Sequence, residues 1–157
     1  LVFVLSALQI TLGGWVSTNY AVLACTDFPT CQDLWWPRMD FEHGFTVLRE
    51  LGIAKGGGYL PFEALTAIHV THRIGALVVL AAIAVLAVRL YGSGEAVHRR
   101  WALRIGGLAL LQLATGLGNV VLGWPLVAAL AHTAGAAALI TLLAVMLARA
   151  QSSGQPS

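Results

Sequence analysis

Apolar positions run in long, nearly unbroken stretches along this chain, and polar positions gather in one segment and a few isolated sites. A membrane-spanning helix needs about 20 mostly apolar residues, and four stretches approach or meet that length. They run from Leu1 to about Thr18, from about Glu63 to Leu90, from about Trp101 to Leu122 and from about Pro125 to Ala148. The pattern predicts an all-α integral membrane protein: four transmembrane helices in a bundle, spanning residues 1–149, with a long outer loop at 19–62 between helices one and two. The polar end, 150–157, reads as a disordered tail. The first run begins at Leu1 without the charged leader and cleavage site of a signal peptide. It reads as a helix cut at its start, and the chain as a fragment.

Composition removes whole classes. Of 157 residues 58% are hydrophobic and 10% charged, against about 25% charged in a soluble domain. A soluble globular domain and a disordered chain are excluded, and a net charge of +2 leaves no basic surface for nucleic acid. Charge asymmetry sets the orientation. Arg89, Arg99, Arg100 and Arg104 outweigh Glu95 between spans two and three, and Arg149 follows span four. The long loop carries Asp27, Asp33, Asp40, Glu42 and Glu50 against Arg38, Arg49 and Lys55. The loop is therefore expected outside and the C-terminus in the cytoplasm. Trp15, Tyr20 and Trp124 at outer span ends, with Tyr91 and Trp101 at inner ends, read as an aromatic belt. Trp35-Trp36-Pro37 in the loop would rest on the membrane surface or cap the helices. Cys25 and Cys31 share that loop, in a compartment where disulfides persist. A structural disulfide is the leading reading. A redox-active pair and a metal pair remain open beside it.

An internal repeat picks out chemistry. Leu8-Gln9 followed by Gly13 matches Leu111-Gln112 followed by Gly116, on spans one and three. His72-Arg73-Ile74-Gly75-Ala76 matches His132-Thr133-Ala134-Gly135-Ala136, on spans two and four. The matches occur in the same order on helices of the same direction, as two parallel pseudo-repeats about an axis along the membrane normal would give. Each His then lies about 10–14 Å below the outer end of its span. Ionisable residues at that depth are costly and usually functional. Two opposed neutral imidazoles suit the axial positions of a haem iron. Gly75-Ala76 and Gly135-Ala136 would leave room for something flat and bulky, and Gly13-Gly14, Gly116 and Gly118 would do the same or let helices approach. The plainer alternative is that each His hydrogen-bonds a neighbour. His69, three residues before His72, could contact substrate, a haem carboxylate or interfacial water. Arg73 could pair with a haem propionate or snorkel to headgroups. Gln9 and Gln112 could bond across helices. His43 and His98 fall in loops.

Taken in order, "QITLGGWVSTNYAVLACTDFPTC", "MDFEHGF", "LTAIHVTHRIGALVV" and "AHTAGA" resemble the C-terminal half of bacterial heme A synthase, a family that includes the mitochondrial cytochrome oxidase assembly protein. The resemblance runs from Gln9 to about Arg149. It implies a full-length protein of two homologous four-helix halves in the bacterial plasma membrane. It also implies one haem b held between His72 and His132 and a disulfide between Cys25 and Cys31. The implied reaction oxidises a methyl group of haem O to a formyl group, giving haem A. Haem O would be bound through the N-terminal half. Heme O synthase or a second copy of the chain are candidate partners, beside the lipid bilayer. The family carries a Glu three residues before the His-Arg pair of its N-terminal half, and His69 stands at that position here. This chain is therefore expected to hold the cofactor half without the substrate-oxidising site. Competing readings are a half-length enzyme that dimerises, a b-type electron-transfer cytochrome without substrate chemistry, and a transport or assembly subunit whose histidines only pack.

Overall fold

The computed structural model describes residues 1–50, 53–54 and 57–152. Among them the chain is helical, with β pairing limited to isolated bridges of Cys31 with Leu34 and Ile53 with Tyr59. The helices are α1 (Val2–Thr18), α2 (Phe41–Gly44), α3 (Phe62–Gly92), α4 (Ala96–Val121) and α5 (Leu126–Ser152), with a 3₁₀ turn at Ala21–Leu23. By length and composition α3, α4 and α5 can each cross a membrane, while α1 is a shorter apolar helix. These helices mark a membrane protein.

Two helix ends differ from the hydropathy pattern for one physical reason. Helix α4 starts at Ala96, not near Trp101, and α5 continues to Ser152. Hydropathy registers where lipid would end, but Arg and Ala are good helix formers in water as well. The polar turns at both ends therefore stay helical. Residues 150–152 are thus helix where a disordered tail is expected, and residues 153–157 of that tail lie outside the described residues. Arg99 stacks over Tyr91 at 4.9 Å and Arg149 over Trp101 at 5.7 Å at this end. Gly94 turns the chain between α3 and α4 at φ 80°, a left-handed conformation that suits glycine.

Helix α1 packs against α3 and α5, and α4 packs against the same two. So α1 lies opposite α4, and α3 opposite α5. A core at the end remote from the loop joins Val79 and Ile83 of α3, Ile105 and Ala109 of α4, and Leu139 and Leu143 of α5. Val2, Phe3 and Leu5 of α1 lie against it. In lipid such contacts gain by close packing, since the tails are as apolar as the side chains. A second core at the loop end holds Val16, Ala21 and Ile68.

The long loop folds back over the ends of α1 and α3. Trp15 Nε1 donates to the Gly44 carbonyl at 2.9 Å, and the Asp40 N–H to Glu63 O at 3.0 Å. Gln32 Nε2 donates to Thr66 Oγ1 at 2.9 Å. Arg49 donates to Asn19 Oδ1 at 2.7 Å and stacks on Trp15. Trp35 and Trp36 are 79% and 70% exposed, so they do not cap the helices. In the "KGGGYLP" turn, Lys55 and Gly56 lie outside the described residues, while Gly57 and Gly58 take φ 86° and 82°.

Candidate functional site

The repeated motifs meet in space. The Gln9 carboxamide reaches from α1 to α3. Its Nε2 lies 3.0 Å from His72 Nδ1 and donates to the His72 carbonyl at 2.9 Å. Gln112 does the same from α4 to α5, donating from Nε2 to the His132 carbonyl at 3.0 Å. The His132 ring uses a different partner: its Nδ1 lies 2.9 Å from Thr115 Oγ1. The cross-helix bonds expected of the two glutamines are therefore present, and each ends on a histidine.

The glycines explain how the helices come this close. A Cβ at Gly13 would stand 3.1 Å from His72 Cε1, and one at Gly116 would stand 3.2 Å from His132 Cε1. A Cβ at Gly75 would run into Gln9 Oε1, and one at Gly135 into Gln112 Nε2. The expectation that Gly75 and Gly135 leave room for a bulky ligand is thus corrected: their space is filled by the glutamine carboxamides. Gly116 and Gly13 make room for the imidazole edges, while Gly118 meets Ala128 at 3.9 Å and Leu122 at 4.0 Å, and Gly14 faces open space. Gly75→Ala and Gly135→Ala are expected to push each glutamine off its histidine. Overpacking of this kind costs about 1–3 kcal/mol, read as a lower thermal midpoint of the purified protein, with Gly14→Ala as the neutral control.

The two imidazoles belong to α3 and α5, the helices that lie opposite each other. Both are half-buried. In each ring Nδ1 is engaged and Nε2 makes no hydrogen bond among the described residues. No residue is buried at 7–15 of α1, 70–78 of α3, 110–118 of α4 or 126–134 of α5. The histidines sit at this level, between the two cores.

The remaining expected site residues lie in the loop seam. His69 is 4% exposed and its Nδ1–H donates to the Ala21 carbonyl at 2.9 Å, which ties α3 to the 3₁₀ turn. Arg73 donates from Nη1 to Thr30 O at 2.8 Å, and from Nη2 to Asp27 O at 2.9 Å and Cys25 O at 3.1 Å. It therefore grips the backbone of the segment closed by the Cys25–Cys31 disulfide, whose Cα atoms are 4.7 Å apart. Arg73 Nε is buried without a partner. Thr115 was not singled out by the repeat, because its counterpart in the first half is Leu12. The available signal was its place three residues after Gln112, on the same helix face.

Asp27 organises the same segment from the water side. Its carboxylate accepts from Thr30 Oγ1 at 2.5 Å and from the N–H groups of Gln32 at 2.7 Å and Asp33 at 3.1 Å. The Thr30 hydroxyl above all, with those N–H groups, holds the Asp27 carboxyl below its ordinary value of 3.8, against partial burial that pushes the other way. A lowered carboxyl stabilises the folded segment fully above that ordinary value and loses its effect as pH falls through the folded one. Protection of the Gln32 and Asp33 amides, taken against the unstructured exchange rate at each pH, is therefore expected to hold from neutrality down to about pH 4 and to fall below it. Asp27→Asn should remove that acid step.

The protein family described as cytochrome oxidase assembly protein matches residues 1–144. The chain belongs to this family. Heme A synthase of Shewanella oneidensis is 38% identical over 135 residues, a match that covers 86% of this chain and 40% of the relative. The chain thus spans less than half the length of the curated relative it matches. No solved structure matches it. Within the cytochrome oxidase assembly family, the matched segment contains Gln9, His72, Gln112, His132 and the whole disulfide loop.

Proposed function

We propose that this chain is the haem-binding C-terminal half of a membrane oxidoreductase that converts haem O to haem A for terminal oxidase biogenesis, with His72 and His132 as axial ligands of one haem b. In this reading α1, α3, α4 and α5 are four membrane spans forming a bundle of two parallel repeats in the bacterial plasma membrane. The loop at 19–62 lies outside and the C-terminus in the cytoplasm, as the arginine distribution argues.

The observation that carries the reading is the donor set. Among the described residues no group of three or more His, Cys, Asp or Glu side chains could hold a metal ion. A tetrahedral zinc site needs three or four protein ligands. Two imidazoles on opposite helices, each with Nδ1 engaged and Nε2 without a hydrogen bond, fit a metal whose other ligands come from a macrocycle. Residues 7–15 and 110–118 of the remaining two helices flank the same level and would line a flat group held there. Arg73 Nε is the donor left over for a haem carboxylate. A bound haem would supply a reversible one-electron couple there. The chain's own part is to fix both imidazole planes through Gln9 and Thr115, to exclude water with the folded loop, and to keep the apolar core beneath.

One observation favours electron transfer over substrate chemistry within this segment. His69, at the position where the other half of the family carries its Glu, is buried and committed to the Ala21 carbonyl. Haem O oxidation would then depend on the N-terminal half, and this half would relay electrons or stabilise the assembly. Heme O synthase or a second copy remain the partner proposals. The test is expression with ample haem, followed by optical spectra of the purified chain. A low-spin b-type spectrum at one haem per chain is expected, and the absence of any Soret band would reject the reading.

A further inference from the structure

The two halves differ at one atom of chemical consequence, the partner of histidine Nδ1. Thr115 Oγ1 has a single proton, and it lies 2.7 Å from the Leu111 carbonyl, to which it donates. With that proton on the Leu111 carbonyl, the hydroxyl accepts from His132, which then carries its proton on Nδ1 and leaves Nε2 as a lone pair. In the first repeat Leu12 replaces Thr115 and offers no polar atom. Gln9 stands in, but with the opposite polarity: its NH2 group donates to both the His72 carbonyl and His72 Nδ1. An accepting Nδ1 puts the His72 proton on Nε2, the atom that would have to face a metal. At the same time Gln9 Oε1 is buried with no hydrogen-bond donor. An orphaned buried acceptor beside a histidine of the wrong tautomer is a specific mismatch, and both faults are cured by one movement.

We propose that Gln9 is a positioning residue that sets the tautomer of His72, turning its carboxamide over when Nε2 takes a ligand so that Oε1 accepts from Nδ1–H, whereas Thr115 holds His132 permanently ready. The inference rests on the bis-histidine reading above for the identity of the ligand, but its first prediction does not. The turn moves the Nε2 donor away from the His72 carbonyl, so entry of the ligand at His72 works against one hydrogen bond that entry at His132 leaves intact. His132 is thus the first imidazole to engage and His72 the second. An acceptor at Nδ1 makes an imidazole a stronger donor to its metal, so Gln9 also tunes the ligand once it is in place.

The test begins with the haem-free chain in lipid nanodiscs, labelled with 15N-histidine. His132 is expected as the Nδ1–H tautomer and His72 as the Nε2–H tautomer. After haem addition both should be Nδ1–H. The same tautomer at both rings before haem overturns the proposal, whether or not haem binds. If the chain takes up no haem at all, the bis-histidine reading fails while the haem-free tautomers are still decided. The second measurement is the haem midpoint potential. Gln9→Glu, an obligate acceptor toward Nδ1, should lower it, and Gln9→Leu, which removes the acceptor, should raise it. Thr115→Val should raise it and Thr115→Ser should restore it. A merely structural role for Gln9 would move Glu and Leu variants in the same direction or not at all, and that outcome would overturn the tuning.

Discussion

Replacing His72 or His132 by alanine is expected to convert a six-coordinate low-spin haem to a five-coordinate high-spin one, or to leave no haem bound. Loss of a residue that only orients a metal ligand costs about 10–100-fold in affinity, so removal of a ligand should cost at least that. The expectation covers both sites because each ring comes from one of two opposed helices, with its Nδ1 engaged and its edge against a glycine. Neither helix offers a substitute at that level, because the nearest imidazole, His69, is buried against the Ala21 carbonyl. His69→Ala is the informative control. It should leave the low-spin spectrum in place and instead loosen the 3₁₀ turn at Ala21–Leu23. Six-coordinate spectra retained in both single histidine variants would remove the ligation, and with it the cofactor role of this chain.

The repeat was legible in the sequence because helical spacing is rigid. A Gln followed by Gly four residues on, and a His followed by Gly three residues on, must lie on single faces of their helices whatever else surrounds them. That was enough to select Gln9, His72, Gln112 and His132. It was not enough to say what each glycine accommodates. Whether the space over Gly75 is taken by a ligand or by Gln9 depends on which helix lies opposite, and that is decided by contacts between segments far apart in the chain. Thr115 was hidden for a related reason. The symmetry that exposed the histidines predicts identical surroundings for them, and their surroundings differ where the symmetry breaks, at Leu12 against Thr115.

Arg73 was the least legible of the site residues, because its partners are backbone carbonyls, which carry no mark in a sequence. Its charge next to His72 suggested a propionate or a headgroup. The structure gives its two terminal nitrogens to Cys25, Asp27 and Thr30. Arg73→Ala is therefore expected to be the most destabilising change in the loop seam. Hydrogen bonds from a charged donor contribute about 1.5–3 kcal/mol each when partly buried. They act on one segment and are not additive, so a loss of about 3 kcal/mol is expected in total. Arg73→Lys should recover only a part of it, since one ammonium lacks the planar fork that reaches carbonyls on both sides. The measurement is limited proteolysis and amide exchange of residues 24–33. In the alanine variant both should accelerate with the disulfide intact, because a closed ring of chain still needs a partner to hold it against α3. An equal acceleration in the wild type on reducing Cys25–Cys31 would show that bond and guanidinium act on one unit. Unchanged protection in Arg73→Ala would mean that the disulfide alone orders the segment and that the arginine is free for a ligand.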